Sequence, residues 1–176
     1  MSLVRLIVLG IVALDGEAHG YAVRRKVGEW RVDSWTRVQP GSIYHALKQL
    51  ARDGRLRALA AEESAEGPDR VRYRLTEVGR AEFVERLEAA LGSFDIEALG
   101  VGVAFMDALP KKRVAALLDD QMQRARANVA HLRALRTETP EEGQAPHTGD
   151  LLDLWIGNLD ATTRWVEGIR TRLGPA

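Results

Sequence analysis

The sequence predicts a mainly α fold with one small β-hairpin. Three observations carry that expectation. Apolar residues recur at intervals of three and four through most of the chain, which is the spacing of one helical face. The period becomes two in Arg70-Val71-Arg72-Tyr73-Arg74-Leu75, where apolar residues and arginines alternate as in a half-buried strand. Residues 137–149, rich in Pro, Gly and acids, separate two long helical patterns near the end.

The 176 residues suffice for one large domain or two small ones. A hydrophobic content of 45% with 28% charged residues describes a soluble globular chain with a real core. There is no Cys, which excludes disulfides and thiolate metal sites. The four His (His19, His45, His131, His147) form no ligand-spaced pair, so no metal and no cofactor is expected. The longest apolar run, residues 6–14, is too short to span a bilayer and lacks the features of a signal peptide. A cytoplasmic protein is expected. The net charge is zero but unevenly placed. Residues 1–80 hold 14 Lys/Arg against 10 Asp/Glu, and residues 81–176 hold 11 against 15. A polyanion would be met by the first half.

Residues 3–14 are apolar nearly throughout, which fits a buried strand or a buried helix. Their length favours a helix. Asp15-Gly16-Glu17 reads as a turn. A second helix runs from His19 to about Trp30, with Tyr21, Val23, Val27 and Trp30 apolar and Arg24, Arg25 and Lys26 a basic cluster. Residues 31–38 lack a period and read as a connection, with Trp35 packed on the small core.

Residues 39–54 form a helix with a start, a stop and two unlike faces. Pro40 suits a first turn, and Gly54 suits the left-handed position past a helix end. Ile43, Ala46, Leu47 and Leu50 share one side. His45, Lys48 and Arg52 fall opposite, flanked by Ser42 and Tyr44. An apolar side on a small core and a polar, cationic side outward is what a helix needs to enter a DNA major groove.

Residues 56–61 are a weaker strand, joined to 70–75 by a polar, acidic loop. Arg70, Arg72 and Arg74 point to one side. Thr76 is placed to cap a helix reaching about Leu91, with Phe83, Leu87 and Leu91 inward. Three helices followed by a two-stranded hairpin make a winged helix-turn-helix, expected over residues 1–92. Residues 93–176 are expected to form a helical dimerisation domain. It holds a short apolar helix within 93–109, a long helix opened by Pro110, and a last helix from about residue 150 to 173. Gly100-Val101-Gly102 is preceded by no strand and lacks a third Gly, so no nucleotide site is expected. On the last helix Leu152, Trp155, Leu159, Thr162, Val166, Ile169 and Leu173 step 3-4-3-4-3-4, a heptad seam widened by Leu151, Leu154 and Ile156. Such a helix has more apolar surface than one partner covers, and dimerisation through Leu152, Trp155, Leu159, Val166 and Ile169 is expected to bury the surplus.

Three pieces now form one pattern: His19-Gly20-Tyr21, then Pro40-Gly41-Ser42-Ile43-Tyr44 with Ala46, Leu47, Leu50, Gly54 and Leu56, then Arg72-Tyr73, Leu75-Thr76 and Gly79. Their order and spacing resemble the PadR family of bacterial transcriptional regulators over roughly the first 92 residues. The chain departs from that pattern at His45, where the family often has Pro, and in an acidic wing tip (Glu62, Glu63, Glu66). The resemblance implies a homodimer whose last helices exchange across a two-fold axis, an inverted-repeat operator, and induction by a small molecule.

The expected function is a homodimeric DNA-binding repressor, not an enzyme, with no arrangement of catalytic groups on converging elements. Tyr21 and Ser42 would bond phosphates. Ser42, Tyr44, His45 and Lys48 would face the groove, and Arg24, Arg25, Arg52, Arg70 and Arg72 would supply charge along the backbone and in the wing. Trp155 and Trp165 would take a small aromatic effector. The competing expectation is a winged-helix module that binds protein, with no specific DNA target.

Overall fold

The computed structural model describes residues 2–62, 70–138 and 145–174. The wing tip and the middle of the linker lie outside the described residues. Helix α1 (Leu3–Asp15) settles the first ambiguity: its residues 6–12 are buried, so the apolar run is a helix at the centre of the core. The turn expected at residues 15–17 passes at Glu17 into strand β1 (Glu17–His19), which sequence reading did not foresee and which also takes His19 from the expected start of the second helix. Helices α2 (Gly20–Glu29), α3 (Val32–Trp35) and α4 (Ser42–Arg52) follow, α3 being a single turn inside the expected connection. Trp35 is more exposed than expected, 38%, and its indole N–H donates to Trp30 O (3.1 Å).

Strands β2 (Leu56–Glu62) and β3 (Arg70–Leu75) form the expected hairpin. The wing is three-stranded, however, in the order β1-β3-β2 and all antiparallel. β3 is therefore the central strand. Glu17 and Arg57 lie opposite Arg74 on its two sides, and His19 and Leu59 lie opposite Arg72.

Helix α5 (Glu77–Leu91) starts at the Thr76 cap, whose Oγ1 accepts the Gly79 N–H at 3.0 Å, and buries Phe83, Leu87 and Leu91 as expected. Helix α6 (Ile96–Ala104) opens at Asp95, whose carboxylate accepts the N–H groups of Glu97 and Ala98. Gly100 and Gly102 sit inside it, and a Cβ on Gly102 would stand 2.9 Å from the Leu91 nitrogen. Gly102 thus serves the close packing of α6 on α5, and both glycines lie within a helix and not in a phosphate loop.

Helices α7 (Lys111–Glu138) and α8 (Thr148–Leu173) lie antiparallel. Ion pairs run along their shared edge: Arg170 to Asp119, Arg126 to Glu167, Arg133 to Asp160 and Arg136 to Asp153. One contiguous core joins α1, α4 and α5 to Phe105, Leu109, Val114 and Leu118, and on to Val166 and Ile169. It crosses the expected division at residues 92 and 93. Phe105 is the joint: it contacts Trp30 and Phe83 at ring separations of 5.7 and 6.1 Å and presses on Gly10, where a Cβ would stand 2.6 Å away. Among the described residues no helix is long and apolar enough to cross a membrane.

Candidate nucleic-acid interface

α4 has the two faces its sequence implies. Ile43, Ala46, Leu47 and Leu50 are buried against α1 and α2. His45, Lys48, Gln49 and Arg52 are exposed, and at intervals of three and four they form a single stripe. The helix closes at Gly54, in the left-handed region (φ 70°), with the Arg55 N–H donating to Leu50 O at 2.8 Å. Its first turn is tied as well: the Ser42 hydroxyl donates to Gln39 O at 2.7 Å, leaving the oxygen as an acceptor.

Tyr44 does two things. It is 43% exposed, yet its ring lies against Gly20, where a Cβ would stand 3.1 Å from Cε1. Gly20 thus lets the start of α2 approach α4, which brings Tyr21, Arg24 and Arg25 beside the stripe. Tyr21 is 63% exposed and stacks loosely under the Arg25 guanidinium at 6.0 Å, and Arg25 also faces Glu29 at 3.4 Å.

The cations differ in what they can give a phosphate. Among the described residues Arg24, Lys48 and Arg52 form no ion pair. Lys26 is held by Asp15. Arg72 (3.5 Å) and Arg74 both engage Glu17 on β1, so those three groups together present one net positive charge. The pairing across a strand that sequence reading missed therefore cancels one of the three positive charges expected of Arg70, Arg72 and Arg74. The side chain of Arg70 lies outside the described residues. Two candidates were missed. Gln49 completes the α4 stripe, and its amide can donate and accept toward a base edge. Arg57 lies opposite Arg74 on the same face of the sheet. The helical period could have found Gln49; only the strand register reveals Arg57.

The residues expected at a dimer interface divide in two. Leu159, Val166 and Ile169 are buried within the chain itself, Val166 and Ile169 in the central core. Leu152 is half-buried, and Trp155 is 57% exposed. The open large apolar residues of α8 are Leu151, Leu154 and Trp155 near its start and Trp165 further along, while α7 and the core take Leu159, Val166 and Ile169. Trp155 also lines a groove of about 490 Å³ with Phe94, Ile96, Leu132 and Leu159, where the polar groups are Asp95, Asn128 and Asn158. Trp165 does not line it. It sits ten residues further along α8, roughly 15 Å down the axis, so the two tryptophans are not brought together.

Residues 8–85 match the model of the transcriptional regulator PadR-like family. The chain is similar to the crystal structure of Bacillus subtilis PadR in complex with operator DNA, at 19% identity over 98% of this chain and 99% of that one, with a TM-score of 0.44. The smu.1604c protein of Streptococcus mutans UA159 is similar at 18% identity over 93% and 96% of the two chains (TM-score 0.43). The PadR-like regulator BC1756 of Bacillus cereus is similar at 22% over 97% of each (TM-score 0.38). No curated protein matches the chain.

Proposed function

We propose that the chain, whose residues 8–85 match the model of the PadR-like family of transcriptional regulators, is a member of that family and a cytoplasmic repressor. In this reading it binds an inverted-repeat operator as a homodimer and leaves it when a small aromatic effector binds. The observation that carries DNA recognition is the stripe of His45, Lys48, Gln49 and Arg52 on a helix whose opposite side is wholly committed to the core. A rigid helix with unpaired cations at its exposed side can enter a major groove without first breaking ion pairs. Tyr21 and Arg24 beside its first turns would fix the register on the backbone, whereas Ser42, whose hydroxyl and N–H both donate to Gln39 O, has no proton left for a phosphate. Arg25, Arg70 and Arg72 would add charge that is partly neutralised at Arg25 and Arg72. Dimerisation would use the open apolar part of α8, and the effector would lie along Trp155. With one carboxylate, two amides and no cation among its lining groups, the groove suits a neutral or cationic aromatic better than an aromatic acid.

The test is binding to duplexes selected from random DNA, measured against salt. Affinity should fall steeply as salt rises, and Lys48→Ala and Arg52→Ala should each reduce the log–log slope by about one. Arg72→Ala should reduce it by less, because Glu17 already takes part of its charge. Salt-independent retention, with no sequence selected, would instead favour a winged-helix module that binds protein.

A further inference from the structure

Residues 93–98 take part in two clefts. Phe94, Asp95 and Ile96 line the apolar groove with Trp155. Ser93, Asp95 and Glu97 line a second cleft, about 610 Å³, whose other wall includes Val38, Gln39 and Ser42, the approach to α4. The segment between the clefts is firmly tied. Ser93 Oγ accepts the Asp95 N–H at 3.0 Å, and Asp95 in turn accepts the N–H groups of Glu97 and Ala98. A displacement of Phe94 or Ile96 would therefore carry Glu97 with it.

Glu97 reaches across the second cleft. One carboxylate oxygen accepts the backbone N–H of Arg37 at 3.0 Å, and the other lies 3.1 Å from the Arg37 guanidinium. That guanidinium is 94% exposed, so its ion pair contributes little. The backbone bond is different, because it fixes the chain itself. From there the bonds run on to α4. The Val38 N–H donates to Thr36 Oγ1, which is anchored on Val32 O, and Gln39 O accepts both the N–H and the hydroxyl of Ser42. Little slack remains between Glu97 and the first turn of the groove-facing helix.

We propose that Glu97 is a positioning residue that couples occupancy of the Trp155 groove to the setting of α4, through its bond to the Arg37 backbone. The inference rests on the effector reading above. Coupling of this kind is a ratio of affinities and is reciprocal: DNA must weaken ligand binding by the factor by which ligand weakens DNA binding.

The experiment uses the full chain, a duplex selected by the wild-type protein, and N-phenyl-1-naphthylamine as a neutral aromatic probe. Probe affinity is measured with and without saturating duplex. The wild-type ratio should be about tenfold, within the usual range of such couplings. In Glu97→Ala the ratio should fall toward one while affinity for the free protein changes by less than about twofold, as expected when only the coupling term is lost. Glu97→Gln keeps an acceptor for the Arg37 N–H and should retain most of the coupling. Arg37→Ala loses only the ion pair and should also retain it. These two variants carry the test if Glu97→Ala does not fold. A wild-type ratio of one, an undiminished ratio in Glu97→Ala, or loss of coupling in Arg37→Ala would each overturn the proposal. Failure of the effector reading shows itself separately and without DNA: the probe would then bind Trp155→Ala as tightly as wild type, and the proposal would fall with it.

Discussion

Glu82 takes hydrogen bonds from three guanidinium groups: Arg5 of α1 at 3.1 Å, Arg55 in the bend between α4 and β2 at 2.9 Å and Arg86 of its own helix α5 at 2.6 Å. Arg5 also bonds Asp53, at the end of α4, at 2.7 Å. Burial by itself would raise the pKa of Glu82, but the three arginines outweigh it and hold the carboxyl at about 2, below its ordinary 4.5. A carboxylate with a depressed folded pKa stabilises the fold above its unfolded pKa, and that stability is lost as pH falls through the folded value. The window is therefore about pH 4.5 down to about 2, and the shift corresponds to about 3 kcal/mol. Glu82→Gln should cost about that much near neutrality in urea denaturation, with the gap to wild type narrowing below about pH 4.5. A gap that stays constant from pH 7 to pH 3 would show that the charge is not what holds these elements. Local sequence gives no sign of this cluster, because Arg5 and Glu82 are 77 positions apart and Arg55 and Glu82 are 27 apart.

At the scale of elements, those that bury a continuous face were legible. The periodic apolar positions of α4 and α5 pack, as do Leu159, Val166 and Ile169 of the α8 seam but not Trp155, and Thr76 and Gly54 mark the helix ends they were expected to mark. β1 was not legible. It has three residues, and its partner is β3, more than fifty positions away, so no local period announces it. The site inherits that gap, since the charge of Arg72 and Arg74 is set by Glu17 on β1. Gly79 shows the same limit from another side. A Cβ there would stand 1.9 Å from the backbone oxygen of Arg55, so the close approach of α5 to the start of β2 requires glycine. Gly79→Ala should lower the urea midpoint by the equivalent of about 3 kcal/mol or more, since backbone, not a flexible side chain, must give way. Gly28 on α2 is the control: a Cβ would meet nothing within 4 Å. Gly28→Ala should raise stability by about 0.5–1 kcal/mol through the unfolded chain. Equal losses at both positions would mean that the packing at Gly79 is not the reason for glycine there.

For the whole molecule, sequence periodicity identified a seam with surplus apolar surface but not which part of it the chain itself would cover. The α7–α8 hairpin and the central core take Leu159, Val166 and Ile169, and Leu151 and Leu154 remain more than half exposed on the free part of α8. If the protein is a dimer, these two leucines belong to its interface. Two groove-facing helices engage successive major grooves only when held about 34–36 Å apart, so assembly and operator binding should fail together. Leu151→Glu with Leu154→Glu puts two charges on a surface that is open in the single chain. The double variant should keep its far-UV circular dichroism and its melting temperature, yet run as a monomer in light scattering where the wild type runs as a dimer. Its affinity for the full inverted repeat should drop to that for a half-site. Trp155 is left in place, so groove binding of an aromatic probe should persist, which separates assembly from effector binding. Val166→Glu is the contrast: a charge in the central core should unfold the chain and not merely split a dimer. A double variant that remains a dimer with full operator affinity would mean that α8 does not join the two copies, and the interface would have to be sought on another face.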